Sequence, residues 1–126
     1  NNIQNPDIVI ILDDTLLAST DVMEGMNENG ILLFNTTMTP EEARAAVNAP
    51  ASVRVATIDA SGIALATIKK DMPNTPIVGA LAKITGLFPL DLVKERLVIT
   101  FGKKFSQEMI DANLASVERA YQEVQE

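Results

Sequence analysis

Asp7-Ile8-Val9-Ile10-Ile11-Leu12 places five apolar residues in succession behind one carboxylate. A strand with one wet face alternates apolar and polar side chains; an unbroken run of β-branched residues suits a strand buried on both faces of a parallel sheet. Asp13-Asp14-Thr15 ends the run in turn chemistry. A short polar helix is expected over Val22–Asn27, closed at Asn29-Gly30, and a second apolar run follows at Ile31-Leu32-Leu33-Phe34.

Working outward, Thr39-Pro40-Glu41-Glu42 reads as a helix start. Thr39 caps, Pro40 takes the first helical position and Glu42 completes a capping box; the helix stops near Asn48-Ala49-Pro50. Val53-Arg54-Val55-Ala56-Thr57-Ile58 is the third strand, and Asp59 caps a helix carried by Ile63, Ala66, Ile68 and Lys70. Three β–α steps of this spacing predict an α/β fold, a Rossmann-like, mostly parallel sheet with covering helices.

Beyond residue 70 the pattern turns helical. Asn74-Thr75-Pro76 opens a helix with Ile77, Ala80, Leu81 and Ile84 on its apolar face and Gly86 as its stop. Pro89 opens the next, facing inward through Leu90, Val93, Leu97 and Phe101 and ending at Gly102. Ser106 caps the last, whose stripe is Ile110, Leu114, Val117, Tyr121 and Val124. No internal repeat or linker interrupts the chain, so residues 1–126 read as a single domain.

Composition narrows the chemistry. Cysteine and histidine are both absent, which removes disulfides, thiolate and imidazole metal sites, iron–sulfur ligation and the commonest general base. Net charge is −7, which argues against nucleic-acid or anionic-membrane contact, and no apolar run is long enough to span a bilayer. No catalytic residues and no metal ligands are expected.

The candidates that remain are few. Asp13 and Asp14 sit at the C-terminal end of a buried strand, where open α/β sheets bind ligands, and Asp59 ends the third strand similarly. Each is read first as turn or cap chemistry and second as a ligand group. Thr75 and Pro76 are explained by helix initiation, with Thr75 capping; Asn74 is either an Asx turn or a contact with another subunit. Gly79 lies inside a helix at a cost of about 1 kcal/mol against Ala, which close helix packing explains better than ligand contact. Lys103-Lys104 reads as a solvated pair at a helix C-terminus.

Asn74 through Gly86, then Phe101-Gly102-Lys103-Lys104, then Ile110-Asp111-Ala112-Asn113-Leu114 through Ala120-Tyr121, together resemble the gamma subunit of pyruvate and related 2-oxoacid:ferredoxin oxidoreductases. Asn5-Pro6-Asp7-Ile8-Val9-Ile10 and Val53 through Ala60 resemble that family too. The family's opening strand and GxGGQG-type turn have no counterpart here, so the chain corresponds to the C-terminal two-thirds of that domain and further N-terminal strands are expected. The resemblance implies an enzyme that converts a 2-oxoacid, coenzyme A and oxidised ferredoxin to acyl-CoA, CO2 and reduced ferredoxin. It places thiamine diphosphate, Mg and [4Fe–4S] clusters on other parts of the complex, none on this chain. It implies alpha, beta and delta partner subunits, contact with ferredoxin through the complex, a cytoplasmic location and an inactive isolated chain. Pyruvate is the default substrate, and Asn74 and Thr75 are the candidates for CoA-side or subunit contact. The alternative is a free-standing small-molecule-binding α/β domain with its ligand at Asp13, Asp14 and Asp59.

Overall fold

Each of the three apolar runs becomes a strand. The computed structural model describes residues 8–12 and 30–126; Asp13, Asp14 and the helix expected over Val22–Asn27 lie outside them. The chain forms two compact units, one of residues 1–58 with 125–126 and one of residues 59–124.

In the first unit β1 (Ile8–Ile11), β2 (Ile31–Asn35) and β3 (Arg54–Ile58) form a parallel sheet in the order β1-β2-β3. Ile8 stands opposite Ile31, and Ile31 opposite Arg54. α1 (Pro40–Val47) connects β2 to β3. Its start follows the local chemistry: the Thr39 hydroxyl accepts from the Glu42 N–H at 3.2 Å, and Glu42 accepts from the Thr39 N–H at 2.9 Å. Asn48 ends it in the left-handed conformation, φ 56°, which Asn tolerates better than most residues.

Period-2 geometry sends Leu32 and Phe34 of β2 to one face with Ile11, Val55, Val53 and Ala43, the core of this unit. Leu33, Ala56 and Ile58 on the opposite face are also buried. β2 therefore behaves as the fully buried strand that an apolar run predicts. β1 does not: Ile11 is buried, but Ile10 and Leu12 are exposed, because β1 is the edge of the described sheet.

Two polar clamps finish the unit. Arg44 donates through its two terminal nitrogens to the carbonyls of Pro50 and Val53, each at 2.7 Å, fixing the turn into β3. Gln125 and Thr57 exchange backbone hydrogen bonds of 2.9 Å, and Arg54 pairs with Glu126 through two nitrogens. That bond lifts the Arg54 guanidinium above its ordinary pKa.

The second unit is helical: α2 (Ala60–Thr67), α3 (Asn74–Thr85), α4 (Leu90–Phe101) and α5 (Gln107–Glu123). Its centre is the α3–α5 crossing. A Cβ on Gly79 would overlap the Val117 carbonyl and lie 2.9 Å from its carbon. The glycine is there for backbone approach, as the sequence suggested. That approach also selects which side chains of α5 are buried: Ile110, Asn113, Ser116, Val117 and Ala120. Leu114, Tyr121 and Val124 of the expected stripe are only half-buried, because small residues fit where two backbones nearly touch and large ones do not. Asn113 and Ser116 make the seam tolerable by bonding their own helix: Asn113 Nδ2 donates to the Met109 carbonyl at 2.8 Å, and Ser116 Oγ to the Asn113 carbonyl at 2.7 Å. Lys83 of α3 lies 5.3 Å above the Tyr121 ring of α5, a cation–π contact across the same pair.

α4 differs from expectation. Leu90, Val93, Leu97 and Phe101 do face inward, but only half-buried, and no residue of the helix is fully buried. Gly102 takes right-handed angles, φ −61°, and the chain turns on through Lys103 and Lys104 before the Ser106 cap of α5. Among the described residues, no helix is long and apolar enough to cross a membrane.

Candidate functional site

α3 begins two residues earlier than Thr75 capping would require. Pro73 already has helical angles (φ −69°, ψ −15°), so Asn74 and Thr75 are the first two residues of the helix. Pro76 follows at the third position, where its missing N–H removes one orphan donor, and the Ile77 N–H reaches the Pro73 carbonyl at 3.0 Å. No side chain caps this terminus. The sequence reading of Thr75 as a cap is therefore corrected.

Freed from capping, Asn74 and Thr75 line a cavity of about 480 Å3 within the helical unit, between the start of α3 and the length of α4. Val78, Phe88, Leu92 and Leu97 supply apolar walls, and Arg96 and Thr100 are the further polar groups. On α4 the spacing Leu92, Arg96, Thr100 and Val93, Leu97, Phe101 gives two adjacent rows of one helix face. Sequence reasoning reached Asn74 and Thr75 but missed Arg96 and Thr100. The signal was a cation four residues from Leu92 and four from Thr100, on the flank of an apolar stripe.

Arg96 has no carboxylate partner among the described residues. Arg54, Lys94 and Arg119 do, pairing with Glu126, Glu118 and Glu123. Arg119 is held above its ordinary pKa by the Glu123 hydrogen bond.

The other candidates are accounted for locally. Asp59 Oδ1 accepts from the Gly62 N–H at 2.9 Å and caps α2, with its carboxylate so close that a Cβ on Gly62 would lie 2.7 Å from Asp59 Cγ. Lys103 and Lys104 are exposed in the turn after α4. A second cavity, about 350 Å3 in the sheet unit, is lined by Arg44, Arg54 and Glu126, whose charges are already engaged with carbonyls and with each other. Asn35, at the end of β2, donates to the Leu12 carbonyl at 3.0 Å and ties two strand ends together. No group of three or more His, Asp or Glu side chains is placed to hold a metal ion among the described residues.

The family model for pyruvate ferredoxin/flavodoxin oxidoreductase matches residues 2–123. Pyruvate synthase subunit PorC of Thermotoga maritima is 44% identical over 122 residues, 97% of this chain and 62% of the relative. The pyruvate/ketoisovalerate oxidoreductases common subunit gamma of Pyrococcus abyssi is 35% identical over 123 residues, 98% of this chain and 64% of the relative. The crystal structure of the Thermotoga maritima pyruvate oxidoreductase subunit superposes with a TM-score of 0.84 at 42% identity, covering 97% of this chain and 65% of that one. The chain thus spans a little under two thirds of the length of these relatives.

Proposed function

The chain belongs to the pyruvate ferredoxin/flavodoxin oxidoreductase family, and from that premise we propose that it is the gamma component of a 2-oxoacid:ferredoxin oxidoreductase. The reaction is oxidative decarboxylation of a 2-oxoacid, with pyruvate the first choice, to acyl-CoA and CO2 with two electrons passed to ferredoxin. The observation that carries this reading is the 44% identity to a pyruvate synthase subunit over nearly the whole chain.

The chain's own part is structural and close to the coenzyme A approach; it supplies no catalytic residue. A sequence without cysteine or histidine has no ligand for a [4Fe–4S] cluster, and the described carboxylates form no metal-binding group. We assign thiamine diphosphate, Mg and the clusters to the alpha, beta and delta subunits, as the family resemblance implies, and expect the isolated chain to be inactive. Of the two roles open to Asn74 and Thr75, subunit contact suits their cavity better than coenzyme A. Its walls are apolar and it offers one arginine, whereas the phosphates of coenzyme A call for several charge-assisted donors. A cytoplasmic site of action follows from the ferredoxin-linked reaction.

Native mass spectrometry of the particle purified through a tag on this chain tests the assignment. The expected result is one stoichiometric complex containing thiamine- and iron–sulfur-bearing subunits. A chain recovered alone from cells that contain those subunits contradicts it.

A further inference from the structure

α4 is apolar on more of its circumference than its own unit covers. Its inward residues are half-buried, and Leu92, Val98 and Ile99 are exposed, Ile99 by 59%. Leu87 and Phe88, immediately before the helix, are 69% and 53% exposed, and Phe105 beyond it is exposed as well. Leu92, Arg96 and Ile99 are spaced i, i+4, i+7 and form one stripe; Leu92 and Arg96 line the cavity that Asn74, Thr75 and Val78 border from α3, and Ile99 extends the stripe outside that lining. Large apolar side chains gathered at one end of α3 and along α4 and left in water are a mark of an interaction site.

The charge at this surface is specific. Arg96 is the one cation lining the cavity, and it has no carboxylate partner among the described residues. Asp91 and Glu95 of the same helix are not part of the lining. An occupant must therefore bring apolar side chains and a negative charge together.

We propose that the α3–α4 groove seats an amphipathic helix of another subunit of the oxidoreductase, its apolar face on Val78, Phe88, Leu92 and Ile99 and a carboxylate on Arg96. Asn74 and Thr75 then form the polar rim. The groove runs along the length of α4, a shape into which a partner helix can lay its apolar face. A second copy of this chain fits poorly. Arg96 lies midway along the Leu92–Thr100 stripe, so a two-fold pairing of α4 on α4 brings the two guanidinium groups together. A small molecule filling the cavity leaves Leu87, Ile99 and Phe105 in water.

This inference rests on the gamma-component reading, and the test separates the two. A photo-crosslinking side chain replaces Ile99 in the assembled enzyme, and crosslinked peptides are mapped after irradiation. Arg96→Glu is compared with the parent chain for association with the crosslinked subunit and for melting temperature. The expected crosslink falls on a helix of a different subunit that carries Asp or Glu. Arg96→Glu then weakens association about tenfold or more without lowering the chain's own melting temperature. Changing the mapped carboxylate to Lys restores it. Crosslinks to a second copy of the chain overturn the proposal. So does an intact complex in which Ile99 meets only solvent or a small ligand, and so does unchanged association of Arg96→Glu. A chain that enters no oxidoreductase particle overturns the gamma-component reading itself.

Discussion

Gly79→Ala puts a single methyl group where α3 and α5 have no room for it. The new Cβ would sit 2.9 Å from the Val117 carbonyl carbon and 3.1 Å from its Cα, with the carbonyl oxygen nearer still, against an ordinary contact of 3.4–4 Å. The obstacle is backbone in the middle of a 17-residue helix, which cannot swing aside as a side chain can. The helices must part by roughly 1 Å, loosening Ile77, Ala80 and Ile84 against Ile110, Val117 and Ala120, all buried. Overpacking of this kind costs about 3 kcal/mol at the upper end of its usual range. Alanine's better helix propensity returns about 1 kcal/mol. The net loss is about 2 kcal/mol, which for a chain of this length lowers the melting temperature by about 8 °C. Thermal unfolding of the purified chain, followed by circular dichroism at 222 nm, reads this directly, and Gly79→Val should lose more. Gly86→Ala is the control: nothing lies within 4 Å of its Cβ, and only the left-handed φ of +66° is strained, at about 1 kcal/mol. If Gly79→Ala melts at or above the parent temperature, helix propensity has won and the close-approach argument is wrong.

Thr39→Ala removes the hydroxyl that accepts from the Glu42 N–H, leaving the backbone half of the capping box, and should cost about 1 kcal/mol in urea denaturation, with Ser restoring most of it. Asp59→Ala removes the α2 cap and should cost a similar amount of about 1 kcal/mol, while Asp59→Asn is nearly neutral; a large effect of Asn on activity instead would give the carboxylate a ligand role. Thr75→Ala removes no cap and should change unfolding free energy by less than about 0.5 kcal/mol, so a loss as large as that of Thr39→Ala would restore the capping reading. Glu126→Gln weakens an exposed pair with Arg54 and should cost no more than about 1 kcal/mol, a loss that 1 M salt imposes on the parent chain too.

Local chemistry was legible wherever it was decided locally. Thr39 and Glu42 announce a helix start through bonds closed within four residues, Gly86 announces a stop because its φ must be positive, and Asp59 announces a cap. Continuous apolar runs located β1 and β2, the more alternating Val53–Ile58 located β3, and their β–α spacing gave a parallel sheet. Apart from Thr75, what was missed depends on neighbours distant in sequence. Thr75 looks like a cap in isolation, but Pro73 is already helical and displaces it inward. The α5 stripe drawn from large apolar residues overlooked Asn113, Ser116 and Ala120, because only the approach of Gly79 from α3 makes small side chains the buried ones. Arg96 was invisible as a site residue: on a helix an isolated arginine usually means a solvated face, and only the fold shows it beside Asn74 and Thr75 without a carboxylate.

The proposed function makes this chain a structural component of a 2-oxoacid:ferredoxin oxidoreductase that carries no catalytic residue of its own. Reconstituting the enzyme from separately purified subunits, with and without this chain, tests it most directly. The measurement is coenzyme-A-dependent reduction of ferredoxin by pyruvate and, in parallel, by branched-chain 2-oxoacids. The account predicts turnover only when the chain is present, with cluster and thiamine content of the other subunits unchanged by its omission. Full turnover in its absence, or ferredoxin reduction by the chain alone, would contradict it.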